Sequence, residues 1–283
     1  MNNIKVQGNL IFDVGMHNGK DTRFYLDKGF NVIAIEASPI SCIDAEKMFA
    51  NEITSGQLKI YNKAISDTKG TVTFVRYKNH DDWSSIVPDW NRSMYKEEVE
   101  TFQIETTNID EIIEKEGLPY YIKIDIEGSD ILCLNALKKI DHLPKYVSVE
   151  LLSINNLKTD NKPDYLEILC TLRSLGYTKF QLVDQSKHDS TVCPKPAREG
   201  NYIDTKFDGF SSGLFGKELP DNWVTIDDVI FDYLLYAGKQ VEYKVENEIH
   251  GLKKRFSSSF FNPTVRLQQK LDVNGWFDVH ATY

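Results

Sequence analysis

The alternation of short apolar runs with helical patterns is the feature that most limits what this chain can fold into. Apolar runs typical of buried strands occur at 9–14, 31–36, 58–65, 120–125 and 145–152. Segments with helical spacing lie between them, at 20–28, 38–50, 108–116 and 129–140. Because neighbouring parallel strands need a crossover helix, this order predicts an α/β fold whose parallel sheet carries helices on both faces.

The last third of the chain has a different character. Residues 185–223 are rich in Pro, Gly, Ser and charge, which favours a long loop, whereas 252–271 is helical and 278–283 resembles a final strand. We therefore expect a core at 1–183 and a C-terminal extension at 184–283 that packs on it. The extension would supply the last strand and a substrate region, with 207–223 as a lid over the site.

Composition excludes several classes of protein. The chain has 33 Lys and Arg against 42 Asp and Glu, a net charge of −9, so it lacks the basic face that nucleic acid needs. The four cysteines show no metal-ligand spacing, and no apolar run reaches the roughly 18 residues of a membrane span. The N-terminus does not resemble a signal peptide. We expect a cytoplasmic protein with no nucleic-acid partner and no membrane span; the oligomeric state is not indicated.

The turn after the first strand is the first candidate for a ligand site, because open α/β sheets bind ligands at the carboxyl ends of their strands. Gly15 and Gly19 permit close approach of the backbone to a ligand. His17 interrupts the GxGxxG pattern of dinucleotide sites, and Asp13 would repel a pyrophosphate. Both observations favour a ligand with a cationic portion, although a plain strand-to-helix turn is the alternative.

An acid follows the second strand as well. Glu36 is placed to accept hydrogen bonds from both hydroxyls of a ribose, although it could instead be a solvated acid before a helix. The glycine turn and Glu36 together are typical of a nucleoside site. An adenosine-bearing ligand that has a positive amino-acid end and no pyrophosphate is S-adenosylmethionine.

Two carboxylates at the end of the strand 120–125 form the third candidate. Asp125 and Glu127 would repel each other unless a cation, a substrate hydroxyl or a backbone donor lies between them. One could act as a general base, or both could ligate Mg²⁺ through oxygen. The alternative is structural: Glu127 caps the following helix and Asp125 accepts hydrogen bonds from backbone amides.

Four segments together resemble the FkbM family of S-adenosylmethionine-dependent methyltransferases. They are 12–22, 35–39, 62–67 and 122–128, of which the run Lys-Ile-Asp-Ile-Glu-Gly at 123–128 is the most specific. The resemblance covers about residues 10 to 152. It implies a Rossmann-like, seven-stranded class I methyltransferase sheet. It also implies methyl transfer, usually to an oxygen of a sugar, a glycan or a natural product. His17 departs from the family, which more often has Asn at that position.

The resemblance also implies roles for individual residues. The cofactor-binding set would be Asp13, Gly15, His17, Asn18, Gly19, Thr22, Glu36, Ala37, Asn62, Ala64, Ile65 and Asp125. The catalytic candidates are Asp125, Glu127 and His17, and Asp125 with Glu150 would be the ligands if Mg²⁺ binds besides S-adenosylmethionine.

The acceptor site has its own candidates, and two other functions stay open. An acceptor that is a small molecule or a glycan could bind Trp83 and Trp90, with Asp81 and Asp82, although Trp83 could instead pin its loop to the core. A phosphorylated or lipid-linked acceptor could bind Arg255 and Arg266, although a helix packed on the sheet with solvated charges is the alternative there. The alternative functions are a catalytically degenerate methyltransferase-fold binding protein in a glycan-synthesis complex, and a nucleotide-binding oxidoreductase.

Overall fold

A computed structural model describes residues 5–87, 98–151, 165–208, 211–233 and 277–283. Its strands are β1 (Val6–Val14), β2 (Asn31–Glu36), β3 (Leu58–Asn62), β4 (Ala64–Ile65), β5 (Thr71–Tyr77), β6 (Val99–Thr107), β7 (Leu118–Ile124), β8 (Tyr146–Leu151), β9 (Lys179–Asp184) and β10 (Phe277–Thr282). Its α-helices include α1 (Lys20–Asp27), α2 (Pro39–Met48), α3 (Ala50–Ser55), α4 (Ile109–Glu116), α5 (Asp130–Leu137) and α6 (Tyr165–Leu175). Trp90, Arg255, Arg266 and the helical stretch predicted at 252–271 lie outside the described residues.

The central sheet has seven strands in the order β3-β2-β1-β7-β8-β10-β9. Strand β10 is antiparallel to β8 and β9, and the other neighbouring pairs are parallel. This confirms the predicted α/β fold with a seven-stranded methyltransferase-type sheet, including the final strand. The order of the strands reverses between β1 and β7, so a crevice opens beyond the carboxyl ends of these two strands.

Four helices begin within a residue of the predicted positions, whereas α3 was not predicted and α5 ends at Leu137, before the predicted residue 140. Ser38 caps α2 by accepting a hydrogen bond from the Ser41 amide at 3.2 Å, and Pro39 occupies the first turn. Gly29 follows α1 with φ of 90°, a conformation that favours glycine. None of the helices in the described ranges combines the length and the apolar character that crossing a bilayer requires.

The predicted strand at 58–65 is in fact two strands, which is a correction. Residues up to Asn62 pair with β2, whereas Ala64 and Ile65 leave the main sheet and pair with β6. The break falls at Lys63, whose amide donates to the Glu36 carbonyl at 3.1 Å and directs the chain outward. A second sheet, in the order β4-β6-β5, results, in which β5 runs antiparallel to β6.

The segment 211–219 packs into the core of the molecule. The Phe215 ring is fully buried and stacks on Tyr121, with ring centroids 4.9 Å apart, and it meets Tyr25 edge-on at 5.1 Å. Asp21 of α1 accepts hydrogen bonds from the Ser212 amide at 2.9 and 3.1 Å. A lid motion of this segment, as expected from the sequence, would have to break these contacts.

A row of polar side chains crosses one face of the sheet. Asp13, Lys123, Ser148, His280 and Gln181 are register neighbours on β1, β7, β8, β10 and β9. Each is buried. Register neighbours share a face of the sheet, so these side chains form one internal polar layer.

His280 in this layer makes the stability depend on pH. Its Nε2 has no hydrogen-bond partner among the described residues, and burial, followed by nearby His188, lowers its pKa to about 3. The folded protein therefore takes up no proton here at pH 5, whereas the unfolded chain does so below its ordinary pKa of 6.5. Stability is consequently lost as the pH falls through 6.5.

We predict that His280→Gln reduces the loss of unfolding free energy at low pH. Between pH 7 and pH 5 the wild type should lose about 2 kcal/mol more unfolding free energy than the variant, because one proton is linked to unfolding. Urea denaturation at both pH values measures the difference. Exposed His142 gives a matched control, and His142→Gln should keep the wild-type slope. Equal slopes for His280→Gln and the wild type would contradict the prediction.

Candidate active site

A cavity of about 460 Å³ opens at the carboxyl ends of β1, β2, β7 and β8. This volume suits a small organic ligand. Ten residues with a predicted role in cofactor binding, catalysis or metal ligation line the cavity. They are Gly15, His17, Asn18, Glu36, Ala37, Ala64, Ile65, Asp125, Glu127 and Glu150. The sequence-based site therefore converges on one cavity.

Gly15 follows β1, lines the cavity and lies against Asp125 at the end of β7. Its φ is 87°, and a Cβ atom there would lie 1.8 Å from the Asp125 carbonyl oxygen. Any other residue would push the two strands apart. The Asp125 amide donates to the Val14 carbonyl at 2.9 Å and closes this contact. Gly15 was predicted to let the backbone come close to a ligand. The structure shows that it is also needed for the ends of β1 and β7 to come close to each other.

Glu36 is fixed at the end of β2 by two backbone donors. Its Oε2 accepts from the His17 amide at 2.8 Å and its Oε1 accepts from the Ser38 amide at 2.7 Å. Burial raises the pKa of this carboxyl, and the two backbone donors oppose that rise. Each oxygen retains acceptor capacity, so the carboxylate can also receive hydroxyl donors from a ligand in the cavity.

Lys123 is a site residue that the sequence analysis did not single out. Its Nζ donates to the Gly15 carbonyl at 3.0 Å and lies 3.4 to 3.6 Å from carboxylate oxygens of Asp13, Asp21 and Asp125. Burial alone would lower the pKa of Lys123, but these three carboxylates, together with that of Asp278, outweigh burial and raise the pKa well above its ordinary value. A lysine inside an otherwise apolar strand was the available signal, since a buried lysine is almost always paired.

Four of the predicted cofactor-binding residues lie behind the lining. Asp13 is fully buried and accepts from the Thr22 hydroxyl at 2.6 Å, and burial raises its pKa to about 6. A Cβ atom at Gly19 would meet the Phe49 ring at 2.7 Å. Asn62 donates to the carbonyls of Glu36 and Ala37 at 2.9 and 3.1 Å. In the structure, Asp13, Gly19, Thr22 and Asn62 support the cavity wall without facing the cavity.

Three carboxylates converge on the opposite side of the cavity from Glu36. One oxygen from each of Asp125, Glu127 and Glu150 lies within 4.8 Å of the other two. Burial, followed by the neighbouring carboxylates, raises the pKa of Glu150 well above its ordinary value. Asp125 and Glu127 are close together because they are two residues apart in the sequence. Glu150 joins them because its strand, β8, pairs with β7.

The N-cap residue of α5 is Ser129, not Glu127, and its side chain makes no capping hydrogen bond. Asp130 accepts from the amides of Ile126 and Gly128 at 3.0 and 3.1 Å. Glu127 itself has φ of 52°, an unusual value for a residue with a side chain, and its carbonyl accepts from the Ser85 hydroxyl at 2.8 Å. The tip of β7 is therefore held from both sides.

Residues 81–86 line the cavity. Trp83 lines the cavity, and its ring stacks on His80 with centroids 4.0 Å apart. Arg76 Nε donates to Asp81 at 2.7 Å and attaches this wall to β5. An aromatic ring and carboxylates of this segment thus face the cavity.

The strand order and the cavity at its switch point define a class I methyltransferase fold. A profile described as the methyltransferase FkbM domain matches residues 13–179, more than half of the chain. The chain therefore belongs to the FkbM methyltransferase family. A search of curated proteins gave no significant match.

Solved structures show similarity at low sequence identity. A methyltransferase FkbM from Methylobacillus flagellatus KT is 16% identical, with a TM-score of 0.40 over 64% of this chain and 40% of that chain. This chain thus spans well under half the length of that protein. An O-methyltransferase from Bacillus cereus in complex with SAH is 12% identical, with a TM-score of 0.37 over 65% of this chain and 68% of that chain. The C-terminal domain of precorrin-6Y C5,15-methyltransferase from Rhodobacter capsulatus is 13% identical, with a TM-score of 0.35 over 63% of this chain and 66% of that chain.

We predict that Lys123→Met lowers the free energy of unfolding by about 3–5 kcal/mol, because it leaves buried carboxylates without their cation. Adding Asp13→Asn to this variant should restore part of the loss. Urea denaturation measures both effects. Lys59→Met is the control, since Lys59 pairs with Glu116 at the surface and should contribute no more than about 1 kcal/mol. Equal losses in Lys123→Met and Lys59→Met would contradict the structural role of Lys123.

Proposed function

We propose that this protein transfers a methyl group from S-adenosylmethionine to a hydroxyl oxygen of a sugar, a glycan or a natural product. The observation that carries the proposal is the Glu36 carboxylate, which two backbone amides hold at the edge of the cavity. In this proposal the Glu36 carboxylate accepts hydrogen bonds from the ribose hydroxyls. Ala64 and Ile65 would then lie beside adenine, and Gly15 with Asp125 would lie near the methionine end.

The charge of the cavity favours this cofactor over a dinucleotide. Asp21, Asp125, Glu127 and Glu150 line the cavity, and Lys123 among them is already ion-paired. A pyrophosphate would meet net negative charge, whereas the sulfonium and ammonium groups of S-adenosylmethionine would be attracted. The charge therefore weighs against a nucleotide-binding oxidoreductase. Because Glu36 and Asp125 both face the cavity, nothing here favours a degenerate binding protein.

The sulfonium activates the methyl group, so the cofactor supplies the difficult chemistry. The protein must align the acceptor oxygen with the methyl carbon, which can be worth an effective molarity of about 10⁵–10⁸ M. A general base would add roughly 10²–10⁴-fold. We assign the base to Asp125, with Glu127 and His17 as the other candidates that face the cavity. Burial lowers the pKa of His17, which keeps its ring neutral at physiological pH.

The acceptor would occupy the side of the cavity bounded by residues 81–86. The Trp83 ring offers a surface for the apolar face of a sugar, and Asp82 and Ser84 offer partners for its hydroxyls.

The four cysteines of the chain are unpaired, which supports a reducing compartment such as the cytoplasm.

Mg²⁺ at Asp125 and Glu150 belongs to the same proposal, and the residues present fit it. Glu150 Oε2 is buried and has no hydrogen-bond partner among the described residues, and it belongs to a set of carboxylates of the kind that Mg²⁺ prefers. A bound ion would polarise the acceptor hydroxyl and lower its pKa.

We predict that Glu36→Ala weakens binding of S-adenosylhomocysteine by about 10- to 100-fold, because hydrogen bonds to a charged group contribute about 1.5–3 kcal/mol. Isothermal titration calorimetry measures the dissociation constant. Glu46→Ala, on the exposed side of α2, should bind like the wild type. An unchanged dissociation constant in Glu36→Ala would show that the ribose does not lie there.

Asp125→Asn should abolish or severely reduce methyl transfer and leave binding of S-adenosylhomocysteine within a few-fold of wild type. The reason is that the amide keeps the shape of the side chain but cannot accept a proton. A radiolabelled methyl-transfer assay with candidate glycans measures turnover, and calorimetry measures binding. Turnover close to wild type would remove Asp125 from the catalytic role.

A further inference from the structure

The C-terminal extension forms part of the cavity wall, although the FkbM profile ends at residue 179. Gln185, Ser211 and Ser212 lie beyond that match, and they line the cavity together with Asp21 of α1. The cavity is therefore built by the FkbM domain and the extension together, and the extension can contribute to ligand binding.

The segment that carries Ser212 is held firmly in place. Both carboxylate oxygens of Asp21 accept from the Ser212 amide, at 2.9 and 3.1 Å. Gly213 has φ of 75°, and a Cβ atom there would lie 2.6 Å from the His188 ring, so the backbone lies directly against the imidazole. Phe215, two residues further on, is fully buried. A side chain on so constrained a backbone loses little conformational freedom when it binds a ligand.

The Ser212 hydroxyl is a buried donor without a partner. Ser212 is 3% exposed, and its Oγ makes no hydrogen bond within the described ranges. The other two residues of the extension in this wall are already engaged, since Ser211 Oγ donates to the Asp208 carbonyl at 3.1 Å and Gln185 Nε2 donates to Asp278. An unpaired hydroxyl inside a protein is costly. Because Ser212 lines the cavity, a ligand there can supply the missing acceptor.

Ser212 lies on the side of the cavity that holds the glycine turn. Asp21, which binds its amide, lies 3.4 Å from Lys123 Nζ, and Lys123 in turn donates to the Gly15 carbonyl at 3.0 Å. The proposed function places the methionine end of the cofactor beside Gly15. That end carries an ammonium group and a carboxylate on the same carbon atom. The acids of the cavity suit the ammonium group, whereas the carboxylate needs a donor.

The cations that line the cavity do not provide this donor. Two lysines belong to the lining that the structure describes. Lys123 is shared by three carboxylates, and Lys63 pairs with Glu105 at 2.8 Å. Burial lowers the pKa of His17, which also lines the cavity. A neutral donor must therefore receive the carboxylate, and the Ser212 hydroxyl is a buried one on the side of the glycine turn.

We infer that the Ser212 hydroxyl donates a hydrogen bond to the α-carboxylate of the bound cofactor, and that Asp21 positions Ser212 through its backbone amide. The inference rests on the proposed function for the identity of the cofactor. It gives the C-terminal extension, which lies outside the FkbM profile, a direct part in cofactor binding. It also predicts that the hydroxyl distinguishes cofactor analogues by their carboxylate.

The test is isothermal titration calorimetry of the full-length protein with two ligands. One is S-adenosylhomocysteine, and the other is its decarboxylated analogue, which keeps the ammonium group and lacks only the carboxylate. Ser212→Ala should weaken binding of S-adenosylhomocysteine about tenfold, because it removes a hydrogen bond to a charged group. The decarboxylated analogue should bind Ser212→Ala and the wild type equally well.

The matched control is Ser190→Ala, in the same extension. Ser190 is exposed, and its hydroxyl donates locally to the Lys187 carbonyl at 2.9 Å. This variant should bind both ligands like the wild type.

The decarboxylated analogue also reports whether Ser212→Ala keeps a folded site. Equal loss of affinity for the two ligands would show that Ser212 supports the fold and would overturn the inference. Unchanged affinity of Ser212→Ala for S-adenosylhomocysteine would overturn the inference alone, because the wild type and the variant would then both bind the cofactor product. A wild type that binds neither ligand would overturn the proposed function, and the inference with it.

Discussion

The ion-pair cluster around Lys123 is the interaction on which the rest of the site depends. Its ammonium joins Asp13 of β1, Asp21 of α1 and Asp125 after β7, and its hydrogen bond to the Gly15 carbonyl holds the turn. Three carboxylates this close would repel one another without the cation. Lys123 therefore allows acidic residues to lie on both sides of the crevice between the ends of β1 and β7.

This arrangement determines which ligands the cavity can accept. The Lys123 ammonium is ion-paired with buried carboxylates. Acidic side chains therefore dominate the surface that a ligand contacts, and this surface disfavours anionic ligand groups. Glu36 is different from the other acids because two amides already hold it in place. The cavity therefore combines one fixed acceptor for hydroxyl groups with a negative region for positive charge, which is the complement of S-adenosylmethionine.

Much of the fold was predictable because local signals and burial agree. The apolar runs became strands of the parallel sheet, Ser38 and Pro39 began α2, and Glu36 lies at the cavity as expected. The break at Lys63 was not predictable, because the apolar pattern continues across it and only the pairing partner changes. Asp13 lies behind the cavity lining for a related reason: a residue at the end of a strand can face the helix that covers the sheet.

Contacts distant in sequence account for the other differences. Asp278 reaches Glu150 only because β10 inserts between β8 and β9, and no local pattern signals which strand a C-terminal segment will join. Ser85 likewise reaches the carbonyl of Glu127 through the second sheet. The residues that shape the acid side of the cavity thus come from separate parts of the chain.

A crystal structure of the complex with S-adenosylhomocysteine tests the central claim most directly. The account predicts ribose hydroxyls within hydrogen-bond distance of the Glu36 carboxylate, adenine beside Ala64 and Ile65, and the sulfur on the side of Asp125. A ligand bound elsewhere, or a ribose out of reach of Glu36, would contradict it.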